Sequence, residues 1–192
     1  MEGVLTPEIW INIAEQTKIK ELRLTTRDIA DYDELMKKRL AILEENNITF
    51  DDIQSVIKKM NPFAGSAELI TWLRSYGQVV VLSDTFAEFA SPLIKKLGNP
   101  TLLCHNLTVS ENQKITGYNI RIDNPKQKAV EAFQKLNYEV IAFGDSYNDI
   151  NMLKSADEGI LYCPPDNVIA EFPEFPVATN YEELKNILKK VL

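Results

Sequence analysis

Three short strings in this 192-residue chain combine residue types suited to an anionic, oxygen-rich substrate. Gly144-Asp145-Ser146-Tyr147-Asn148-Asp149 sets two carboxylates a helical turn apart, behind a glycine that permits a tight bend. Two acids so placed can approach one hard cation such as Mg2+, which takes oxygen ligands. The same string also reads as a polar turn in which Asp145 or Asn148 caps a helix. Ser83-Asp84-Thr85 offers a hydroxyl able to donate to a phosphate oxygen, helped by amides at a helix start; hydroxyls also begin helices with no ligand in view. Asn124-Pro125-Lys126 opens a helix with a lysine. That lysine is either a solvated first-turn charge or a cation that neutralises a phosphate or a nucleophilic carboxylate. Their order lifts the three above ordinary turn chemistry: strand-Ser, then Lys at a helix start, then strand-Gly-Asp-x-x-x-Asp.

These residues need strands to present them. Val79-Val80-Val81-Leu82 is a short β-branched run directly before Ser83, and Val140-Ile141-Ala142-Phe143 runs directly into Gly144. In an α/β sheet, ligands bind outside the carboxyl ends of the strands, which is where both strings fall. Helical spacing fills the intervals. Leu69, Trp72, Leu73 and Tyr76 recur before Gly77; Phe86, Phe89, Ala90, Leu93 and Leu97 share a face; Val130, Phe133 and Leu136 follow Lys126. Another helix is expected after Asn148, a last strand at Ile160-Leu161-Tyr162, and a closing helix through Leu184, Ile187, Leu188 and Val191. Leu102-Leu103-Cys104 is a weak strand, and residues 107–122 read as a hairpin or irregular β segment. The alternation predicts an α/β fold whose parallel sheet is covered on both faces. Residues from about 7 to 62 instead read as helices only, over 10–18, 33–46 and 51–60, ending at the Asn61-Pro62 turn. Such an insertion is either a cap over the active site or a helical layer packed on the sheet.

Composition removes several classes of function. Apolar residues at 45% and charged residues at 26% describe one folded domain with a real core. Lys+Arg 21 against Asp+Glu 28 gives a net charge of −7 with no basic stripe, so no nucleic-acid partner is expected. The single His105 leaves no His-rich zinc site. Cys104 and Cys163 form no framework of close pairs, which points to a reducing cytoplasm. No apolar run approaches the ~20 residues of a membrane span, and no basic region followed by an apolar core suggests a signal peptide.

The ordered motifs resemble the haloacid dehalogenase-like superfamily of aspartate-nucleophile phosphatases, whose core is Rossmann-like with a small helical cap. Four strings narrow the resemblance to phosphoserine phosphatases, in the branch described as phosphoserine phosphatase/homoserine phosphotransferase. They are Met36-Lys37-Lys38-Arg39-Leu40, Pro62-Phe63-Ala64-Gly65, Val81-Leu82-Ser83-Asp84-Thr85-Phe86 and Gly144-Asp145-Ser146-Tyr147-Asn148-Asp149. The resemblance implies a core of residues 1–8 and 62–192 with a cap at 9–61, and Mg2+ as cofactor. It makes Glu2 the acid/base, with its backbone carbonyl also on the metal. Ser83 and Lys126 would hold the phosphoryl group, and Asp84 and Asn148 would line the substrate site. Asp145 would ligate the metal with Asp149 in support. Glu8 and Arg39 would read the substrate's ammonium and carboxylate from the cap side, a match of charge and of guanidinium geometry. Read without the family, Glu8 is a first-turn helix acid and Arg39 a surface charge. Phosphoserine is the implied partner, with homoserine as an alternative phosphoryl acceptor; oligomeric state is not legible.

The first motif departs from the family pattern of an apolar strand running into Asp-x-(Asp/Glu)-Gly. Met1-Glu2-Gly3-Val4-Leu5 begins at its x position, so the attacking Asp and the strand before it are expected to be missing, as in a truncated or mis-started chain. Covalent catalysis requires that carboxylate, so little turnover is expected from residues 1–192 themselves. Its strand would lie mid-sheet, and its loss would leave neighbouring edges open. A catalytically inactive phospho-ligand binding protein of the same fold is the competing expectation.

Overall fold

The computed structural model describes residues 1–25, 28–29 and 31–192. Residues 26, 27 and 30, inside the expected cap, lie outside the described residues. Helices α1 (Ile9–Thr17), α2 (Tyr32–Glu45) and α3 (Phe50–Lys59) form the first third, with a 3-10 turn at Lys20–Arg23. Each boundary has a local cause. Asp31 accepts from the Glu34 amide to start α2; Thr49 and Asp52 form a reciprocal capping box at α3, and Lys58 and Lys59 sit at its negative end.

α4 (Ser66–Arg74) leads to β1 (Val80–Phe86), which passes directly into α5 (Ala87–Lys96). β2 (Thr101–Val109) lies parallel to β1 and turns back antiparallel into β3 (Ile115–Asn119). The weak strand and the hairpin of the sequence reading are thus one nine-residue strand and its return. α6 (Pro125–Lys135), β4 (Ile141–Gly144), α7 (Ile150–Ser155), β5 (Glu158–Tyr162), α8 (Asp166–Glu171), β6 (Val177–Ala178) and α9 (Tyr181–Leu188) complete the chain. Two expectations are corrected. β5 is not the last strand, because β6 pairs beyond it; two residues carry too little pattern to be seen. Leu136 does not join Val130 and Phe133: six residues past Val130 it has rotated off that face, and it is 67% exposed.

The expected parallel sheet exists as two three-stranded halves, β1-β2-β3 and β4-β5-β6, with β3 antiparallel. The first cluster of buried side chains joins α1–α3 to α5 and the β2–β3 hairpin through Trp10, Ile13, Ile53, Phe86, Phe89 and Leu107. A second cluster covers one face of the half-sheets with α4 and α9; a third covers the other face with α6, α7 and α8.

Polar contacts fix the first third onto α5. Pro92 lies inside α5 and cannot donate to the Glu88 carbonyl, which instead accepts from the Gln54 side chain of α3. Lys96 donates to the Lys58 and Met60 carbonyls, closing the C-terminal end of α3 at 2.9 and 2.5 Å. No helix among the described residues is long and apolar enough to cross a membrane.

Candidate functional site

β1 and β4 deliver the two acidic strings to one point, and Lys126 at the first turn of α6 joins them. Its ammonium lies 2.8 Å from Asp84 and 2.8 Å from Asp149. Burial alone would lower the Lys126 pKa, but the two carboxylates outweigh it and raise the pKa above the ordinary lysine value. Asp149 is likewise desolvated, yet Lys126 brings its net pKa below the usual carboxylate value.

Asp149 is bound on both oxygens. One takes Lys126; the other accepts the amides of Asp145 and Ser146 and the Ser146 hydroxyl at 3.0, 3.2 and 3.3 Å. This single carboxylate therefore shapes the loop after β4 as well as pairing the lysine. Gly144 is required by the closeness of that arrangement, since a Cβ there would stand 2.5 Å from the Asp149 side chain.

Asp145 is positioned differently. Its carboxylate lies over the backbone of Gly3, so close that a Cβ on Gly3 would be 2.4 Å from its Oδ2; Gly3 also holds φ +76°, a conformation that favours glycine. Burial, then the Asp149 charge, raises the Asp145 pKa to about 6. A crowded, desolvated acid of this kind is relieved by a cation. No cluster of three or more His, Cys, Asp or Glu side chains suited to a metal ion occurs among the described residues. A divalent ion beside Asp145 would therefore complete its shell with backbone, water and substrate oxygens, which suits Mg2+.

Proton and metal then compete for the same oxygens, with a measurable consequence. Mg2+ affinity is expected to fall by up to about tenfold per pH unit below the Asp145 pKa of about 6 and to level off above it. Calorimetric titration at pH 5, 6 and 7.5 checks this; equal affinity at all three would remove Asp145 from the metal site.

Glu2 accepts from the Ile9 amide at 3.3 Å, at the start of α1. Burial first, then neighbouring Glu8, raises its pKa to about 7, a value suited to giving and taking a proton near neutrality. Glu8 is exposed at the N-cap of α1 and makes no capping bond. Arg39 is buried rather than a surface charge, and this corrects its family-free reading. It stacks over Trp10 at 4.5 Å and donates to the Leu24 carbonyl at 2.7 Å. Its Nε is buried with no acceptor among the described residues. Desolvation lowers its pKa to about 10, with Tyr32, Glu2 and Glu8 opposing the shift.

Ser83 is buried on β1, and its hydroxyl accepts from the Thr85 amide at 3.4 Å. Ser83 and Lys126 line one small cavity of about 260 Å3 between β1, β2 and α6. Asn148 is exposed on the loop after β4 and, among the described residues, makes no hydrogen bond to the other candidates. His105 is a buried core residue whose Nδ1 accepts from the Arg121 amide at 3.3 Å, and burial lowers its pKa.

Tyr32 went unnoticed in the sequence. Its hydroxyl donates to the Asp84 carbonyl at 3.2 Å, tying α2 to the end of β1 beside the ion pairs. Its spacing of seven from Arg39 puts both on one helix face, and that was the available signal.

A match to the haloacid dehalogenase-like hydrolase family covers residues 5–157. The chain is 55% identical to a phosphoserine phosphatase of Pseudomonas syringae pv. tomato, over 96% of this chain and 78% of that protein. It is 54% identical to the phosphoserine phosphatase ThrH of Pseudomonas aeruginosa, over 96% and 90% respectively. Among solved structures, a phosphoserine phosphatase in apo form superposes with a TM-score of 0.76 at 24% identity, covering 97% of this chain and 92% of the other. That last likeness speaks for the fold.

Proposed function

Because the chain belongs to the haloacid dehalogenase-like hydrolase family, we propose that it serves as a Mg2+-dependent phosphatase acting on phosphoserine. The observation that carries this reading is the Asp84–Lys126–Asp149 cluster, which joins residues of β1, the start of α6 and the segment after β4. In this reading residues 1–8 and 62–192 are the core and residues 9–61 the cap. Two free thiols, Cys104 and Cys163, favour work in the cytoplasm.

Lys126 and the Ser83 hydroxyl bind the phosphoryl oxygens. Arg39 forks onto the substrate carboxylate with its unpartnered Nε, and Glu8 meets the ammonium. Asp145 and the Glu2 carbonyl, with Asp149 in support, would hold Mg2+, which would supply positive charge against the phosphate. By the family resemblance, an aspartate carboxylate placed two positions before Glu2 would attack phosphorus; the O–P bond would form as the P–O bond to serine breaks, and Glu2 would give its proton to the departing serine oxygen. Glu2 then takes a proton from water, which attacks phosphorus and releases phosphate. The hydroxyl of homoserine can take the place of water, and access under the cap governs that choice.

Phosphate release from phosphoserine, with and without Mg2+, tests the reading. In this reading the attacking carboxylate belongs ahead of Glu2, so residues 1–192 by themselves are expected to turn over little. The same chain preceded by an apolar strand ending in that Asp is expected to release phosphate only with Mg2+. Binding without turnover in the extended chain would identify a phospho-ligand binding protein instead, and full turnover by residues 1–192 would overturn the carboxylate attack.

Arg39 gives a second check. Arg39→Lys keeps a charge and loses the fork, so phosphoserine affinity is expected to fall about 10- to 100-fold, the size of one or two charge-assisted bonds. Inorganic phosphate affinity should not change. Equal losses for both ligands would place Arg39 outside the carboxylate subsite.

A further inference from the structure

Beneath α6, the paired strands β1 and β2 leave a hollow of about 260 Å3. Leu82 and Leu103 are register partners on its floor, and both stay only half-buried although they lie side by side in the sheet. Leu103 and Ile122 belong to none of the three buried clusters, and Ile122, between β3 and α6, is 46% exposed. Ala129 and Phe133 of α6 line the hollow as well. An apolar wall that the core does not use has room for an apolar group from outside the chain.

The polar part of the lining has one sign. Arg121, Lys126 and Lys128 border the hollow and no Asp or Glu does, in a chain whose net charge is −7. The Lys126 ammonium is taken by Asp84 and Asp149. Arg121 and Lys128 make no ion pair among the described residues. The Arg121 charge is felt at the floor: burial, then Glu88, drives the Cys104 thiol pKa up, and Arg121 opposes them. Glu88 itself accepts from the Leu107 amide at 2.8 Å and the Asn106 side chain at 3.3 Å.

We propose that this hollow binds a small amphipathic anion, a compact apolar body ending in one carboxylate. Small-molecule sites usually run to about 300–1,000 Å3, so a hollow at the lower end suits a body of about six carbons. The body packs on Leu103, Ile122 and Phe133, while the carboxylate takes the planar fork of Arg121 with Lys128 as the second charge. A neutral apolar molecule would leave both cations without a partner, and an inorganic anion would leave the wall wet.

The hollow is distinct from the place read for the phosphoryl group. Burial alternates along β1. Leu82 packs with the α6/α7 cluster and Asp84 meets Lys126 of α6, so both turn toward α6. Ser83, between them, turns its hydroxyl to the opposite face of the sheet.

The test uses residues 1–192 with hexanoate, hexanol and hexylammonium as probes. Calorimetry reads affinity, and methyl NMR spectra read position. Hexanoate is expected to bind one-to-one and to shift the methyl signals of Leu82, Leu103 and Ile122, leaving those of Ile13 and Ile53 in the first cluster unmoved. Hexanol and hexylammonium should bind at least about tenfold more weakly, the size of one charge-assisted pair. Arg121→Gln, at an exposed position, should weaken hexanoate about tenfold and change hexanol less than about twofold.

The site is overturned by no saturation up to the solubility limit, by equal binding of the three probes, or by methyl shifts confined to other regions. Full displacement of hexanoate by inorganic phosphate would make the hollow part of the phosphoryl site and also sink the proposal. So would a concentration-dependent dimer that shields the same methyls and excludes hexanoate, since a second copy would then cover the wall. None of these readouts depends on turnover, so the proposal stands or falls apart from the phosphatase reading.

Discussion

Lys126→Met is expected to destabilise the protein by about 3 kcal/mol and to remove measurable phosphate binding. The lysine side chain is 13% exposed and pairs with Asp149, 8% exposed, and Asp84, 34% exposed. Removing one partner of a buried ion pair costs about 3–5 kcal/mol, because the remaining charge is stranded. The lower end applies here. Asp84 reaches solvent, which screens it, and Asp149 keeps its bonds from Asp145 and Ser146. The pH dependence gives the sign. In the native protein Asp149 is held below its ordinary pKa, so it stabilises the fold above the unfolded carboxylate pKa, and that stabilisation is lost as pH falls through the folded value. Without Lys126, burial raises the Asp149 pKa, and protonation relieves the stranded charge. The deficit in urea unfolding should therefore narrow between pH 7 and pH 4. A deficit unchanged across that range would show that the ammonium contributes only packing.

Gly144→Ala should be comparably damaging, though it adds one methyl group. That methyl would lie 2.5 Å from Cβ and Cγ of Asp149 and 2.6 Å from its Oδ2. Overpacking alone costs about 1–3 kcal/mol. Relieving it means moving the carboxylate that accepts from Lys126, Asp145 and Ser146, at about 1 kcal/mol for each bond weakened. A total of about 3 kcal/mol or more is expected, with Mg2+ and phosphate binding both lost as the loop after β4 opens. Denaturant unfolding and phosphate titration check both effects. A loss below about 1 kcal/mol with phosphate affinity intact would mean that Asp149 has room to yield, contrary to its hydrogen-bond set.

Much of the fold and most of the candidate site were legible, for different reasons. The helices at 10–18, 33–46 and 51–60 lie within one residue of those observed at their boundaries, because capping residues and apolar spacing act over one or two turns. Ser83, Lys126 and Asp145 could be nominated because strand-then-turn chemistry is local. Asp149 could be nominated too, but not its full role: the partner on Oδ1 is 23 residues away, and only folding brings it there. The same holds for Tyr32, which bonds a carbonyl 52 residues distant. Burial of Arg39 against Trp10 was hidden because both side chains read as helix-face residues on separate segments.

The sequence by itself determined the order of strands and helices up to β5, the acidic turns after β1 and β4, the lysine at the start of α6, and the family they point to. Local propensity and the spacing of polar groups suffice for that. The tertiary structure alone decided which charges neutralise one another and which acids are pushed toward neutral pH. These are properties of distance and desolvation between segments far apart in the chain, and neither is encoded in the pattern of any one segment.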